Sequence, residues 1–289
     1  MTFKKAAWTL GAALMYLGIY LLWQVILVFA ATFGVSFYFG IEAAMSGGSA
    51  MQMMQAEFTE RVLDTVLIYA VHLTAVSAVL TIITYFVMFK VRKKSFFSEI
   101  SLKRLSPITC GAALVLGVAL NVVMTCLVSA IPFPQSWINE YNEAISAIVD
   151  TDIYISVIFT AILAPICEEI VMRGLVHTRL KRIMPMFAAM IISSWIFGMI
   201  HGVMIQICYA ALLGLMLSWV FEKSGSLLAP ILFHIGFNSC GLLIGGLEGI
   251  PFSMLALCIL ISIGGIAYIQ RTSKYKIEFV WKKTDTPLE

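Results

Sequence analysis

Charge is scarce in this sequence. Only 12% of its 289 residues are Asp, Glu, Lys or Arg, while 61% are hydrophobic; an average soluble domain is about 25% charged. A soluble fold of this length would expose large apolar patches, so the bilayer is the natural solvent, and mean hydropathy is +0.95. No CxxC pair occurs. Cys110, Cys126, Cys167, Cys208, Cys240 and Cys258 all sit inside apolar runs, which argues against a disulfide framework or zinc ribbon and for small buried apolar residues. No basic run with interleaved aromatics marks a nucleic-acid module. The alternating ten-residue pattern of a β-barrel is missing, as is a His-Glu-x-x-His helix.

What is present is long apolar runs. About 20 such residues cross a bilayer, and eight candidate spans can be drawn: 8–33, 62–90, 108–132, 153–180, 185–204, 206–222, 226–246 and 251–270. Gly202 marks the turn between the fifth and sixth, and Glu222-Lys223-Ser224-Gly225 the turn between the sixth and seventh. Backbone groups in lipid must be satisfied internally, so the expected fold is all-α, a polytopic bundle of about eight helices. The first run is longer than a signal-peptide core, lacks a cleavage site and reads as a retained span.

The charges alternate with these spans. Lys4 and Lys5, Lys90 to Arg104, Arg179 to Arg182, Lys223, and Arg271 to Lys283 fall on one side. Glu42, Glu57, Glu60, Asp64, Glu140, Glu143, Asp150, Asp152 and Glu248 fall on the other, with Arg61 alone basic there. By the positive-inside rule both termini are expected in the cytoplasm. The loop Glu42–Arg61, with Ser46, Gly47, Gly48 and Ser49, reads as mobile. The segment 133–152 reads as a polar loop, and the tail from Arg271 as interfacial or disordered. Three regions follow: 1–152 with the first three spans, 153–246 with spans four to seven, and 247–289 with the last span and a basic tail.

Ionisable groups inside spans cost about 2.5–3.5 kcal/mol each on insertion scales and mark function by default. They are His72, Glu168, Glu169, Arg173, His201 and His234. His72 reads as a hydrogen bond across helices, and His177, beside basic residues, as a surface residue. Glu169 and Arg173 are four apart with the acid first, the favourable order for an ion pair on one helix face. Glu168 is rotated about 100° away and is free to face a cavity. His234 and Asn238 share a face of span seven. One unpaired carboxylate, two imidazoles and one carboxamide therefore come from three helices. A partly desolvated carboxylate suits a general base for water, imidazoles can orient water or ligate a metal, and a carboxamide can stabilise an oxyanion. Pro165 and Pro230, three and four residues before Glu168 and His234, each remove a helix hydrogen bond and free a carbonyl one turn upstream.

The series Glu168-Glu169-x-x-x-Arg173, Phe197-x-x-x-His201 and His234-x-x-x-Asn238, on successive spans and with the local run Glu168-Glu169-Ile-Val-Met-Arg173-Gly174, resembles the CPBP family. That family includes the type II CAAX prenyl endopeptidases and the Abi and bacteriocin-processing proteins. The resemblance covers about 153–246. It implies hydrolysis of a peptide bond in a membrane-associated, prenylated or leader-peptide substrate. Glu168 would be the base, His201 its water- or metal-binding partner, and His234 with Asn238 would complete the site, supported by Glu169 and Arg173. Two versions stay open: one divalent metal, zinc, held by Glu168, His201 and His234, or a glutamate-activated water without metal. The expected partners are membrane lipid and a peptide or protein substrate, with no nucleic acid. A non-proteolytic immunity or scaffold protein, and a proton-coupled transporter, are the competing readings.

One tension concerns depth. Counted from Met184, His201 lies ~24 Å into its span, whereas His234 lies ~12 Å into its own. A shared site therefore requires a hairpin around Arg179–Arg182 that projects beyond its neighbours.

Overall fold

The computed structural model describes residues 2–45, 55–149, 151–244 and 249–273. Asp150, Glu248, the Ser46–Ser49 stretch and the tail from residue 274 lie outside them. The described residues are helical, without strands. In chain order the helices are α1 (Phe3–Met45), α2 (Gln55–Ile68), α3 (Ala70–Val91), α4 (Phe96–Glu99), α5 (Pro107–Ser129) and α6 (Gln135–Val149). There follow α7 (Ile153–Leu180), α8 (Met186–Met199), α9 (Met204–Ser224), α10 (Leu228–Ile244) and α11 (Phe252–Thr272). Six of them, α1, α3, α5, α7, α9 and α11, are long and apolar enough to cross a membrane, and α8 and α10 are shorter apolar helices. These eight occupy the eight stretches expected as spans. They leave a belt of exposed apolar side chains, among them Trp8, Phe29, Phe86, Val115, Ile158 and Leu260, which is lipid-facing surface rather than a folding defect.

Three boundaries differ from expectation. At 43 residues, α1 is ~64 Å long at 1.5 Å per residue, about twice the hydrocarbon thickness. Gly34 and Gly40 do not stop it. Its far end is held by α2, where Arg61 pairs with Glu42 at 3.3 Å and stacks on Phe39 at 4.3 Å. The span expected over 62–90 is broken at Tyr69, which leaves helical geometry at φ −94° and ψ 4°. The polar loop expected over 133–152 contains α6. Trp137, Tyr141 and Ile145 repeat at helical spacing on one side of it, and Tyr141 meets Tyr209 of α9 edge-on.

The turns behave as their residues require. Gly202 (φ +78°) links α8 to α9, and Gly225 (φ +67°) ends α9 in the left-handed region that glycine tolerates. The α5–α10 crossing is close. A Cβ on Gly117 would strike the Phe233 carbonyl oxygen, and one on Gly236 would strike the Leu114 carbonyl oxygen. Only hydrogen at both positions lets the two backbones approach this far. The crossing fixes α10 one residue from His234 on one side and two on the other.

Candidate active site

Helix α7 is not uniform. Val157–Leu163 and Ile170–His177 are π-helical, flanking the α-helical stretch Ala164–Glu169; π-segments inside helices are rare and are frequent at functional sites. The first arises beside Pro165. In that register Ala164 N–H donates to the Phe159 carbonyl, five residues back. The next donor would be Pro165, which has no N–H, so the Thr160 carbonyl loses its partner. Asn238 Nδ2 supplies it at 3.1 Å. Pro230 has no such effect. It is the third residue of α10, in the first turn, where helix N–H groups lack intrahelical partners anyway. The Ser226 carbonyl, one turn upstream, accepts from Ser224 Oγ at 3.1 Å.

The two carboxylates diverge. Glu169 is fully buried and its Oε1 accepts from Arg173 Nη1 at 2.8 Å. Arg173, also fully buried, donates through Nη2 to the Gly214 carbonyl at 2.9 Å and lies 4.5 Å over the Phe197 ring. Glu169 Oε1 also accepts from His234 Nδ1 at 3.0 Å. An ionised carboxylate cannot donate, so Nδ1 carries the proton and Nε2 faces outward. Glu168 Oε2 lies opposite it, 3.8 Å from His234 Nε2. Glu168 makes no hydrogen bond among the described residues.

His201 sits just beyond the C-terminus of α8, and its Nδ1 donates to the Phe197 carbonyl at 2.7 Å. Its Nε2 makes no hydrogen bond among the described residues. Phe197 bridges the two imidazoles, edge-on to His201 (centroids 4.9 Å) and to His234 (5.7 Å). The structure thus brings Glu168, Glu169, Arg173 and His234 into direct contact, joins His201 to them through Phe197, and engages Asn238 with the backbone of α7.

A second buried network aligns the helices. His177 is fully buried, not on the surface. Its Nε2 meets Glu222 Oε1 at 2.9 Å and its Nδ1 meets Ser193 Oγ at 3.3 Å. Lys181 also reaches Glu222, at 2.7 Å. His177, near the end of α7, therefore lies beside Ser193 in the middle of α8, and Ala189 and Met190, one turn earlier, are buried as well. Measured from Ser193, His201 is ~12 Å deep, against ~9 Å for His234 from Leu228, so the two depths are similar.

The donor set bears on a metal in two ways. Both imidazoles have Nδ1 committed and Nε2 free, the arrangement of a metal ligand held by an outer hydrogen bond. Among the described residues, however, no three His, Cys, Asp or Glu side chains gather into a group that could hold an ion.

Residues 150–240 match the family model described as type II CAAX prenyl endopeptidase Rce1-like. The likeness is confined to that segment. It takes in Glu168, Glu169, Arg173, His201, His234 and Asn238, agrees with the CPBP resemblance, and spans less than half of the chain. No curated protein and no solved structure matches the sequence. The Rce1-like segment and the apolar helices together support, at the level of the family, an integral, multi-pass membrane protein with a CAAX-type protease core.

Proposed function

We propose that the protein is an integral membrane endopeptidase in which Glu168 activates water for attack on a peptide bond. The observation that carries this reading is the Glu168 carboxylate, which makes no hydrogen bond among the described residues and lies 3.8 Å from the outward nitrogen of a histidine whose inner nitrogen is locked by Glu169. A water beside the two groups can touch both, the distance at which general-base chemistry operates. Glu168 takes a proton from that water as its oxygen bonds to the carbonyl carbon. Neutral His234 Nε2 accepts a hydrogen bond from the same water and orients it, with His201 Nε2 available to do likewise, and the second Asn238 N–H faces the developing oxyanion. Glu168 then returns the proton to the leaving amine as the C–N bond breaks. Arg173 and Glu169 hold His234 in one tautomer and one orientation, as the acid of a hydrolytic triad holds its histidine.

The substrate is a membrane-associated peptide, prenylated or bearing a leader. Both termini lie in the cytoplasm, on the charge alternation; cysteine labelling near Lys93 and near Asp152 from the same side would contradict that. The function is tested by incubating purified protein in nanodiscs with prenylated CAAX peptides and with unprenylated leader peptides. Cleavage of one class, abolished by Glu168→Ala, is expected. No cleavage of either class by a folded protein would favour a scaffold or immunity role. Inhibition by chelator, reversed by added zinc, would identify the metal version; indifference to chelator is the result expected for a bare water.

A further inference from the structure

At the basic end of the bundle, away from the catalytic groups, the start of α1, the end of α3, α4 and the elbow after α7 enclose a cavity of about 230 Å³. Its floor pairs two cations with one carboxylate. Arg179, buried, donates to Glu99 Oε2 at 2.6 Å and to the Gly174 carbonyl at 3.2 Å, and lies 5.0 Å from the Tyr16 ring centroid. Lys94 meets the other Glu99 oxygen at 3.2 Å. Glu99 is thus satisfied from two sides. Three further cations line the cavity, Lys5, Arg92 and Arg182, and none of them has a salt bridge among the described residues. Burial, then the nearby Arg179 charge, lower the Arg182 proton affinity, and Glu99 offsets them only in part. Trp8 completes the rim and is 74% exposed, the disposition of an indole at a membrane interface.

We propose that this cavity binds the phosphate of an anionic membrane lipid. Three unpaired cations converge where headgroups lie, and basic pockets of this kind between transmembrane helices hold lipid phosphates. Arginine presents a planar fork matched to phosphate oxygens. The volume suits a phosphodiester with its glycerol. The apolar flank of α1, with Leu10, Leu14 and Leu22 exposed, offers a surface for the acyl chains. A lipid seated here ties α1 to the elbow of α7, the helix that carries Glu168.

The test is binding, read without reference to cleavage. Phosphatidylglycerol, phosphatidylcholine and inorganic phosphate are titrated into detergent-solubilised protein, with bound species counted by native mass spectrometry. Phosphatidylglycerol should bind and phosphatidylcholine should not. The Lys5→Ala/Arg92→Ala/Arg182→Ala variant should bind it about two orders of magnitude more weakly, at roughly a factor of five per cation near an anionic surface. A control that removes three cations outside the cavity, Lys90→Ala/Lys93→Ala/Arg104→Ala, should lose far less. The single Arg182→Glu change, which spares the Arg179–Glu99 floor, should show the same direction of loss. Equal binding of both lipids, or equal losses in the two triple variants, would overturn the site. Inorganic phosphate bound as tightly as the lipid would overturn the lipid as its ligand.

Discussion

Replacing Arg173 by methionine removes the cation from a pair in which both side chains are essentially inaccessible, 1% for Arg173 and 0% for Glu169. The methionine fills much of the volume but leaves a buried carboxylate with His234 as its one remaining partner. It also removes the additional bond that the Gly214 carbonyl accepts from Arg173 at 2.9 Å. Breaking a buried pair from one side costs about 3–5 kcal/mol. For a chain of this size the loss corresponds to a fall in Tm on the order of 10 °C. Removing the second charge as well, in Glu169→Leu/Arg173→Met, leaves no orphaned ion, and exchanging a buried pair for apolar residues of similar size is often neutral. Most of the lost stability should therefore return in the double variant. Activity should not, because His234 Nδ1 has lost Glu169 Oε1. Thermal unfolding in detergent and cleavage rates on the same preparations separate the two effects. A double variant no more stable than Arg173→Met, or a fully stable Arg173→Met, would refute the reasoning.

Asn238→Ala should strand the Thr160 carbonyl and cost about 1–3 kcal/mol; Pro165→Ala restores the missing N–H, so the cost of Asn238→Ala measured in that background should shrink. Any loss of cleavage from a missing oxyanion donor, typically 10²–10³-fold, should persist there, and unfolding curves with rates on the four proteins check both halves. Gly236→Ala should push α10 off α5, since its Cβ meets the Leu114 carbonyl oxygen, with a cost of about 1–3 kcal/mol and reduced cleavage through displacement of His234. Glu99 supplies a pH dependence. Burial pushes its carboxyl up, but the Lys94 hydrogen bond and the Arg179 charge outweigh that and hold it below its ordinary value. A lowered folded value means that its contribution is present above the unfolded carboxylate pKa and is lost as pH falls through the folded one. Glu99→Gln should flatten the acid side of the stability profile.

The eight spans, the Glu169–Arg173 pair and the divergence of Glu168 were legible because each rests on local spacing: apolar length, an i to i+4 step and a 100° rotation. Relations that depend on distant chain were not. His177 reads as a surface residue because Arg179, Lys181 and Arg182 follow it, yet Glu222 arrives 45 residues later to accept its ring nitrogen. Pro165 signals a freed carbonyl, but the change of register decides that the carbonyl is Thr160, and a side chain on α10 decides that it is satisfied. Gly117 and Gly236 lie in different spans, and neither alone indicates a close crossing. Glu169 was read as a partner of Arg173 only. Its second bond, to His234, joins residues 65 apart.

The central claim is that Glu168 serves the reaction and not the fold. The direct measurement is the single-turnover cleavage rate of Glu168→Gln beside its unfolding temperature. Because Glu168 makes no hydrogen bond among the described residues, the Tm should be unchanged, while loss of a general base should slow cleavage by about 10²–10⁴-fold. Cleavage at the parental rate by this variant would contradict the account.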